Sequence, residues 1–265
     1  MARDTLPEFG PRRGKVGAPV LVMSRMSSHR LPGKALRVLA GKPLIQWVVE
    51  AVKHCDDASS VLVATSDDPS DKGIREWCDK ARVEWIAGPL NDPLLRLAKA
   101  ATVLGCESIV RISGDSPVLD PRLIDYALRL FNADHLDLVT NVQVRTFPRG
   151  QSVEVIRTAL LQDLVSRRLP WEHREHVTSA VYQGLVSARV RNFTSSEQAP
   201  EYVDTVRQRG IDLGQQNLSV DTLADALHLN CVIRVLHPIT PVQAGWTRCT
   251  DLHLQTARHG HRVCR

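Results

Sequence analysis

The chain has 265 residues, of which 43% are hydrophobic, and a formal net charge of +5 at pH 7. This length and composition suit one large α/β domain with a sizeable core, and no stretch is long and apolar enough to predict a membrane span. Part of the positive charge lies in residues 1–17, which are rich in Arg, Pro and Gly, so we expect a mobile basic tail there. These residues contain no apolar segment of signal-peptide length, which argues against secretion.

The six cysteines are scattered along the chain without a CxxC motif. Four of them fall inside apolar-periodic segments, as reduced core thiols do: Cys55, Cys78, Cys106 and Cys231. Reduced thiols are typical of cytoplasmic proteins, so we predict a cytoplasmic location.

Strand and helix patterns alternate over the first half of the chain. Buried strands are predicted at residues 20–23, 60–65, 83–86, 108–113 and 136–141. Helices are predicted from Pro43 along an apolar face that reaches Val52, and at 71–81, 92–104 and 121–131. This alternation predicts a mainly parallel sheet with helices on both faces.

Residues 142–200 do not continue this alternation. A strand-like segment at 152–156 leads to a helix rich in Arg and Leu, and the segment SARVRNF follows at 187–193. We interpret residues 142–200 as a small inserted subdomain within a single domain that spans 18–265. A further strand is predicted at 217–222, and two helices close the chain.

A basic polar loop follows the first strand. It contains Arg25, Arg30 and Lys34, with serines between them and a Pro-Gly turn at 32–33. Loops at the C-terminal ends of strands form the ligand sites of open α/β folds. Cationic side chains, hydroxyl donors and small residues suit a polyphosphate, although the Walker A pattern GxxxxGK[ST] is absent. A solvated basic surface loop is the alternative interpretation.

Two aspartates follow predicted strands at the same edge of the sheet. Asp115 follows the strand at 108–113 and Gly114, and Asp221 follows the strand-like sequence NLSV. Carboxylates at such positions can hold Mg²⁺, which bridges carboxylate and phosphate oxygens in nucleotide enzymes. Alternatively, Asp115 is a turn residue before Ser-Pro, and Asp221 caps the following helix.

Several ordered motifs resemble those of the cytidylyltransferase family that includes spore coat polysaccharide protein F-like proteins, acylneuraminate cytidylyltransferases and 3-deoxy-manno-octulosonate cytidylyltransferases. The family's opening signature, ARxxSxRLPGK, is matched by RMSSHRLPGK at 25–34, with Ser24 in place of the alanine. The other matching blocks, in family order over about 200 residues, are LAGKPL (39–44), VATSDDPSD (63–71), VRISGDSPVLDPRLID (110–125), REHVT (174–178) and SVDTLADAL (219–227). Such an ordered set is far more specific than any single block.

The resemblance implies a nucleotide-diphospho-sugar transferase fold: a Rossmann-like, three-layer α/β/α sandwich with a mixed, mainly parallel sheet. It also implies transfer of CMP from CTP to an acceptor, with release of pyrophosphate. In this interpretation Arg25 and Lys34 hold the triphosphate and stabilise charge as pyrophosphate leaves, and Arg30 supports them. Asp115 and Asp221 are the implied Mg²⁺ ligands beside the α-phosphoryl oxygens. The predicted catalytic set is therefore Arg25, Lys34 and Asp115.

The nucleotide site implied by the resemblance extends beyond these cations. Ser24 belongs to the same loop and is a predicted nucleotide contact. Thr65 and Ser66, at the end of the next strand, are predicted neighbours of the base or ribose. Alternatively, these two residues only form the turn after that strand.

The segment implied to bind the acceptor departs from the family pattern. The spore-coat branch typically reads RTYPDGLDVEVF, whereas residues 145–156 read RTFPRGQSVEVI. Arg145 and Glu154 are retained, but two family aspartates are replaced by Arg149 and Ser152. These replacements indicate either altered acceptor recognition or loss of activity, unless this part is an exposed turn in which the change is neutral.

The predicted acceptor is a small acid: a sugar acid, a phosphonate or a phosphorylated acid, since Arg forks pair well with phosphoryl oxygens. Its predicted contacts are Arg145, Arg149, Glu154, Arg174 and His176. Alternatively, Arg174 and His176 only pair with Glu172 or Glu175 on a solvated helix.

Three other functions have weaker support. A glycosyltransferase that consumes a nucleotide sugar usually carries a DxD metal motif, which this chain lacks. A non-catalytic nucleotide-binding protein is expected to have lost Lys34 or the two aspartates, which are present. Nucleic-acid binding is disfavoured because aromatic residues are few and no recognised binding motif occurs.

Relatives in the family are commonly homodimers, so we predict a homodimer through residues 142–195.

Overall fold

The computed structural model of the chain describes residues 17–259. Within them the strands are β1 (Val20–Met23), β2 (Val38–Leu39), β3 (Lys42–Pro43), β4 (Val61–Ser66), β5 (Glu84–Gly88), β6 (Ser108–Ser113), β7 (Leu138–Thr140), β8 (Glu154–Arg157) and β9 (Val190–Asn192). The helices are α1 (Leu44–Val52), α2 (Lys72–Ala81), α3 (Pro93–Leu104), α4 (Arg122–Ala133), α5 (Thr158–Ser166), α6 (Trp171–Glu175), α7 (Ser179–Tyr182), α8 (Ser195–Gln198), α9 (Pro200–Gln208), α10 (Leu223–Leu236) and α11 (Pro241–His259). Short 3-10 turns lie at Lys34–Leu36, Pro69–Asp71 and Leu213–Gln215.

The central sheet has seven strands in the order β5-β4-β1-β6-β8-β7-β9, and β2 and β3 form a separate hairpin. β1 pairs in parallel with β4 and β6, so that Val22 lies opposite Val63 on one side and Ile112 on the other. β8 runs antiparallel to both β6 and β7, whereas β9 is parallel to β7. One reversed strand makes the sheet mixed but mainly parallel, as predicted.

Helices cover both faces of this sheet. Successive side chains of a strand point to opposite faces. Val20 and Val22 of β1 lie in a core with α1, α2 and α4, whereas Leu21 lies in a second core with α3 and α5. All three β1 residues are fully buried, which explains why this strand is continuously apolar. The predicted three-layer α/β/α sandwich is confirmed.

A third, smaller core joins α10 and α11 to the β2–β3 hairpin and to residues 218–220. Leu39 of β2 and Leu229 of α10 are among its buried members. The backbone N–H of Val220 donates to the carbonyl oxygen of Asp115 over 2.8 Å. The C-terminal part of the chain is thereby fixed beside the end of β6.

The strand predicted at 217–222 is wrong. Asn217 forms only an isolated parallel bridge with Arg149, and no ladder follows. Leu218 and Val220 are fully buried in the third core. Their alternating pattern therefore results from burial against helices and not from strand pairing.

The other predicted helices and strands are present, with small shifts at their ends. β6 has the predicted bounds, and the Asp92 carboxylate accepts from the backbone N–H of Leu95, as expected for the cap of α3. Pro43 does not open the first helix. Its backbone is extended (φ −54°, ψ 144°) because it closes the β2–β3 hairpin, so α1 begins at Leu44.

Residues 142–200 contribute to the central sheet itself. The strand predicted at 152–156 corresponds to β8, which lies between β6 and β7, and β9 extends the sheet at one edge. Helices α5, α6 and α7 lie between these two strands in sequence. The proposed roles of this segment in acceptor binding and dimerisation stay predictions.

The cysteines agree with the sequence-based expectation at three of four positions. The buried Cys55 thiol donates to the carbonyl oxygen of Pro121, Cys78 is a buried free thiol, and Cys106 is a half-buried free thiol. Burial raises the pKa of the Cys78 thiol to about 12. Cys231 is disulfide-bonded, so the predicted reduced thiol is wrong there. Apolar periodicity indicates that a cysteine is buried but not its oxidation state.

The predicted basic tail lies outside the described residues, except for Gly17. Gly17 packs against the turn before β4, where an added Cβ would fall 1.8 Å from the carbonyl oxygen of Asp57. Among the helices of residues 17–259, none has the length and apolar composition that crossing a bilayer requires.

Candidate active site

A cavity of about 380 Å³ lies at the C-terminal ends of β1 and β6. The residues of its lining that the sequence predicted are Ser24, Arg25, Arg30, Lys34, Asp115, His176 and Asp221. The other polar lining residues, which were not among the predicted site residues, are Ser28, His29, Arg96, Arg111, Ser113 and Glu175. The structure thus brings the basic loop and both aspartates to one site, as predicted.

Lys34 lies between the two aspartates. Its Nζ donates to Asp115 Oδ2 over 2.9 Å, to Asp221 Oδ1 over 3.1 Å and to the carbonyl oxygen of Val220 over 2.8 Å. All three side chains of this ion cluster are partly buried. Three oxygen acceptors satisfy the three donors of the ammonium group, so a cation is held where the two carboxylates meet.

Two glycines allow this approach of loop and strand. Gly33 has a left-handed backbone (φ 72°) immediately before the turn that begins at Lys34. Gly114 donates from its N–H to the carbonyl oxygen of Met23 over 2.8 Å, and a Cβ there would lie 2.7 Å from that oxygen. The end of β6 therefore reaches the end of β1 only with glycine at position 114.

Asp221 does not cap α10. The cap is Thr222, which forms a capping box with Asp225. The Asp225 carboxylate also accepts from the backbone N–H of Asp221 over 3.1 Å. Burial disfavours the charged form of Asp225, but hydrogen bonds from Thr222 and neighbouring groups outweigh it and lower the pKa of that carboxyl. The Asp221 side chain stays free to face Lys34 and Arg30, whose Nη2 lies 3.0 Å from Asp221 Oδ1.

Arg25 forms an ion pair that the sequence did not predict. Its Nη2 lies 2.7 Å from Glu175 Oε1, and both residues line the cavity. The pair joins the basic loop to the last residue of α6. His176 follows directly and also lines the cavity, with an exposed side chain.

Arg174 lies outside the lining of this cavity. Its Nε donates to Asp92 Oδ2 over 2.8 Å, and the guanidinium forms an ion pair with the same carboxylate. Neither Glu172 nor Glu175 is its partner. Arg174 therefore fixes α6 to the N-terminus of α3, and its contact with an acceptor is not supported by this geometry.

Thr65 and Ser66 do not line this cavity. Both are fully buried, and their hydroxyl groups donate to the buried carboxylate of Asp71. Asp71 also accepts from the backbone N–H of Met26, in the basic loop, over 2.6 Å. The predicted contact with base or ribose is corrected to a supporting role, because these hydroxyls hold the aspartate that anchors the loop.

Two further arginines line the cavity. Arg96 is only 2% exposed and donates to the carbonyl oxygens of Pro89 and Leu90. Burial lowers the pKa of its guanidinium. Arg111 projects from β6 and forms an ion pair with Glu154. Arg96 stands alone in a helix without a local motif, whereas Arg111 lies in the matching block at 110–125 but had no predicted role.

Glu154 is a structural partner in this arrangement and does not line the cavity. It is 4% exposed, and its Oε1 accepts from Thr178 Oγ1 over 2.6 Å and from Tyr182 Oη over 2.5 Å, while Arg111 holds Oε2. Burial and the Glu154 charge raise the pKa of Tyr182. The predicted direct contact of Glu154 with an acceptor is therefore corrected: this carboxylate orients Arg111.

Arg145 and Arg149 lie beside this cluster and outside the cavity lining. Arg145 Nη1 donates to Ser152 Oγ over 3.1 Å. Burial, and after it the neighbouring Arg149, lowers the pKa of the Arg145 guanidinium. Arg149 is exposed. Their contact with an acceptor stays a prediction.

Asp115 and Asp221 are the residues that would hold Mg²⁺. Their oxygens already converge on one cation, the Lys34 ammonium, and carboxylates are the hard donors that this ion prefers. Among residues 17–259 no group of three or more His, Cys, Asp or Glu side chains could hold a metal. A Mg²⁺ ion on these two carboxylates would complete its shell with water and phosphate oxygens.

Sequence comparison identifies the relatives of this chain. The family model for cytidylyltransferases matches residues 19–220. The 3-deoxy-manno-octulosonate cytidylyltransferase of Geobacter sulfurreducens is 38% identical over 108 residues, which are 41% of this chain and 42% of that protein. Spore coat polysaccharide biosynthesis protein SpsF of Bacillus subtilis (strain 168) is 29% identical over 194 residues, which are 70% of this chain and 79% of that protein. The first alignment thus spans less than half of its relative.

Comparison of structures shows the fold. A cytidylyltransferase from Leptospira borgpetersenii serovar Hardjo-bovis (strain JB197) has a TM-score of 0.78 and 24% identity, and the match covers 94% of this chain and 97% of that one. The family match over residues 19–220 includes the basic loop and Asp115, and it ends one residue before Asp221. The chain belongs to the cytidylyltransferase family.

Proposed function

We propose that the chain transfers CMP from CTP to an acidic acceptor and releases pyrophosphate. Family membership supports the reaction class. One relative is named as a cytidylyltransferase for 3-deoxy-manno-octulosonate, an acidic sugar, and another is named for spore coat polysaccharide biosynthesis. The basic lining of the cavity supports a triphosphate substrate.

The observation that carries this proposal is the position of Lys34 between Asp115 and Asp221, at 2.9 and 3.1 Å. A polyphosphate bound here meets an ammonium group on one side and a pair of carboxylates suited to a divalent cation on the other. Nucleotidyl transfer needs both, since negative charge builds up on the leaving pyrophosphate.

In the proposed reaction an acceptor oxygen attacks the α-phosphorus in line. The new bond joins that oxygen to the α-phosphorus, and the bond from the α-phosphorus to the bridging oxygen of pyrophosphate breaks. A phosphoryl oxyanion attacks without a proton, and an attacking hydroxyl gives its proton to water. Lys34, Arg25 and Arg96 supply positive charge around the triphosphate. Mg²⁺ on Asp115 and Asp221 would add Lewis-acid charge at the phosphoryl oxygens.

Two contacts must change when the triphosphate binds. Lys34 is bound to the carboxylates proposed for Mg²⁺, and Arg25 is bound to Glu175. Both cations are therefore occupied by internal anions before the substrate arrives. We propose that each exchanges its carboxylate partner for phosphate oxygens, so that the two cations are positioned in advance and need only small side-chain movements.

The acceptor is proposed to enter from the side of α6 and β8. His176 lines the cavity on that side, and Arg111 projects into it from β6. A sugar acid or a phosphorus-containing acid fits this side because Arg111 and the neighbouring Arg145 and Arg149 are cationic.

We also propose a homodimer through residues 142–195, where Val144, Trp171 and Leu185 are 58%, 66% and 55% exposed.

The test is transfer of CMP from CTP that is labelled at the α-phosphorus. The acceptor panel contains neutral sugars, sugar acids including 3-deoxy-manno-octulosonate, phosphonates and phosphate monoesters. We expect the label in a new anionic product, with one pyrophosphate released for each CMP transferred. Tight CTP binding without any label transfer would instead indicate a non-catalytic nucleotide-binding protein.

A further inference from the structure

Arg145 and Arg149 are neighbouring arginines whose charges no described carboxylate balances. Of the five guanidinium donors of Arg145, one is used by Ser152 Oγ, at 3.1 Å. The Arg149 side chain makes no hydrogen bond or ion pair within residues 17–259. Burying part of a guanidinium without a counter-ion is costly, and the lowered pKa of Arg145, caused first by burial and then by Arg149, reflects that cost.

Glu154 is the acidic neighbour of Arg145, but it cannot neutralise these two arginines. Its carboxylate already accepts from Thr178 and Tyr182, and it forms an ion pair with Arg111. The charges of Arg111 and Glu154 cancel, so Arg145 and Arg149, which lie beside the cavity and outside its lining, keep an unmatched charge of +2. A bound dianion would neutralise this charge.

The position of the two arginines connects them to the candidate active site. The N–H of Arg149 donates to the carbonyl oxygen of Gln216 over 2.9 Å, and the N–H of Leu218 donates back to Arg149 over 2.8 Å. This paired segment continues directly to Asp221. On the other side, Ser152 precedes Glu154 by two residues, and Glu154 holds Arg111, which lines the cavity.

We propose that Arg145 and Arg149 bind a dianionic phosphoryl or phosphonate group of the acceptor. Two guanidinium forks match the charge and the tetrahedral oxygens of such a group, whereas a carboxylate would neutralise only one of them. This inference rests on the proposed function in one respect: it takes the bound anion to be part of the acceptor. Binding of the anion itself needs no turnover and is measured separately from it.

The experiment uses three probes of the same shape on the full chain at low ionic strength. Methyl phosphate and ethylphosphonate are both dianions at about pH 9, because the second pKa of a phosphate monoester is about 6 and that of an alkylphosphonate is somewhat higher. Ethylphosphonate replaces the bridging oxygen of methyl phosphate by a methylene group, and methyl sulfate keeps the shape with a single negative charge. Binding is measured by equilibrium dialysis for wild type, Arg145→Gln/Arg149→Gln, Arg25→Gln and the exposed control Arg168→Gln.

We expect saturable binding of a dianion to wild type, Arg168→Gln and Arg25→Gln. The double variant should bind it at least about tenfold more weakly for each arginine removed, and methyl sulfate should bind wild type at least about tenfold more weakly than methyl phosphate. Preference for methyl phosphate over ethylphosphonate identifies a phosphate monoester as the source of the group, and the reverse preference identifies a phosphonate.

Two results would overturn this inference: no saturable binding of either dianion, or binding that Arg25→Gln abolishes and the double variant retains. In the second case the anion occupies the triphosphate loop instead. A parallel titration of wild type with CTP and Mg²⁺ separates the two proposals. Normal CTP binding without dianion binding contradicts only the present inference, and dianion binding without CTP binding contradicts only the proposed function.

Discussion

The ammonium group of Lys34 donates to the carboxylate of Asp115 over 2.9 Å, although 81 positions separate the two residues in the sequence. The parallel pairing of β1 with β6 brings the loop that carries Lys34 and the turn that carries Asp115 to the same edge of the sheet. This contact holds the proposed phosphate-binding cation against the proposed metal ligand before any substrate binds.

Asp115→Asn and Asp221→Asn should each retain the fold and lose turnover by roughly a thousandfold. Each variant removes a charge from the proposed metal site, and such charge is worth several kcal/mol in the transition state. Pyrophosphate release measures turnover, and thermal unfolding checks the fold. Asp204→Asn, an exposed position on α9, is the matched control. Near-normal turnover in either variant would reduce that aspartate to a structural partner of Lys34.

Glu175→Gln should bind CTP roughly two- to fivefold more tightly than wild type. The substitution frees Arg25 from its partner and removes a negative charge from the triphosphate cavity, a gain of the size measured for single ion pairs. Titration calorimetry gives the affinity, and Glu172→Gln on the exposed side of the same helix is the control. Weaker CTP binding by Glu175→Gln would show that Glu175 instead holds Arg25 in its binding position.

Local patterns in the sequence were enough to find the centre of the site. Lys34 and Asp115 both follow buried strands, and the ends of parallel strands meet at one edge of the sheet. Asp221 was also found, although the strand predicted before it is absent. Leu218 and Val220, just before Asp221, are buried against helices, and this burial produces the same alternation of apolar and polar residues as a strand.

The partners of these residues could not be predicted, because they depend on contacts between distant segments. The sequence suggests Glu175 only as an alternative partner of Arg174 and His176, and only the fold shows that it meets Arg25. Thr65 was correctly placed at a strand end, but the direction of its hydroxyl depends on Asp71. Arg96 has no motif around it, and its burial follows from the packing of α3 against the sheet.

Gly114→Ala should destabilise the chain by about 1–3 kcal/mol and impair turnover. An added Cβ would lie 2.7 Å from the carbonyl oxygen of Met23, so the ends of β1 and β6 must separate. Urea unfolding measures the loss. Gly73→Ala in α2 is the control, since its Cβ would meet only the flexible Leu36 side chain and alanine favours a helix. Equal stability of wild type and Gly114→Ala would contradict the required close approach.

The stability of the chain should fall as the pH is lowered from 6.5 towards 4, because of His253. Burial, and then the neighbouring His228, lowers the pKa of His253 from 6.5 to about 4. Above pH 6.5 the folded and unfolded chains both leave this imidazole neutral, so the stability is fully present. Below it the unfolded chain binds a proton that the folded chain does not, which costs up to about 1.4 kcal/mol for each pH unit.

Urea unfolding of wild type and His253→Gln across this pH range tests that expectation. The variant should show a flatter dependence on pH, even if it is less stable at neutral pH through loss of the 2.9 Å contact with His228. His54→Gln, at an exposed position, should keep the slope of wild type. Identical slopes for wild type and His253→Gln would contradict the assignment.

The central claim is that Lys34, Asp115 and Asp221 form a Mg²⁺-dependent CTP site. Calorimetric titration of the full chain with CTP, ATP, GTP and UTP, each with and without Mg²⁺, tests it most directly. We predict that CTP with Mg²⁺ binds more tightly than the other nucleotides, that omission of Mg²⁺ weakens CTP binding, and that Asp115→Asn/Asp221→Asn removes this metal dependence. Equal affinity for all four nucleotides, or CTP binding that is indifferent to Mg²⁺, would contradict the account.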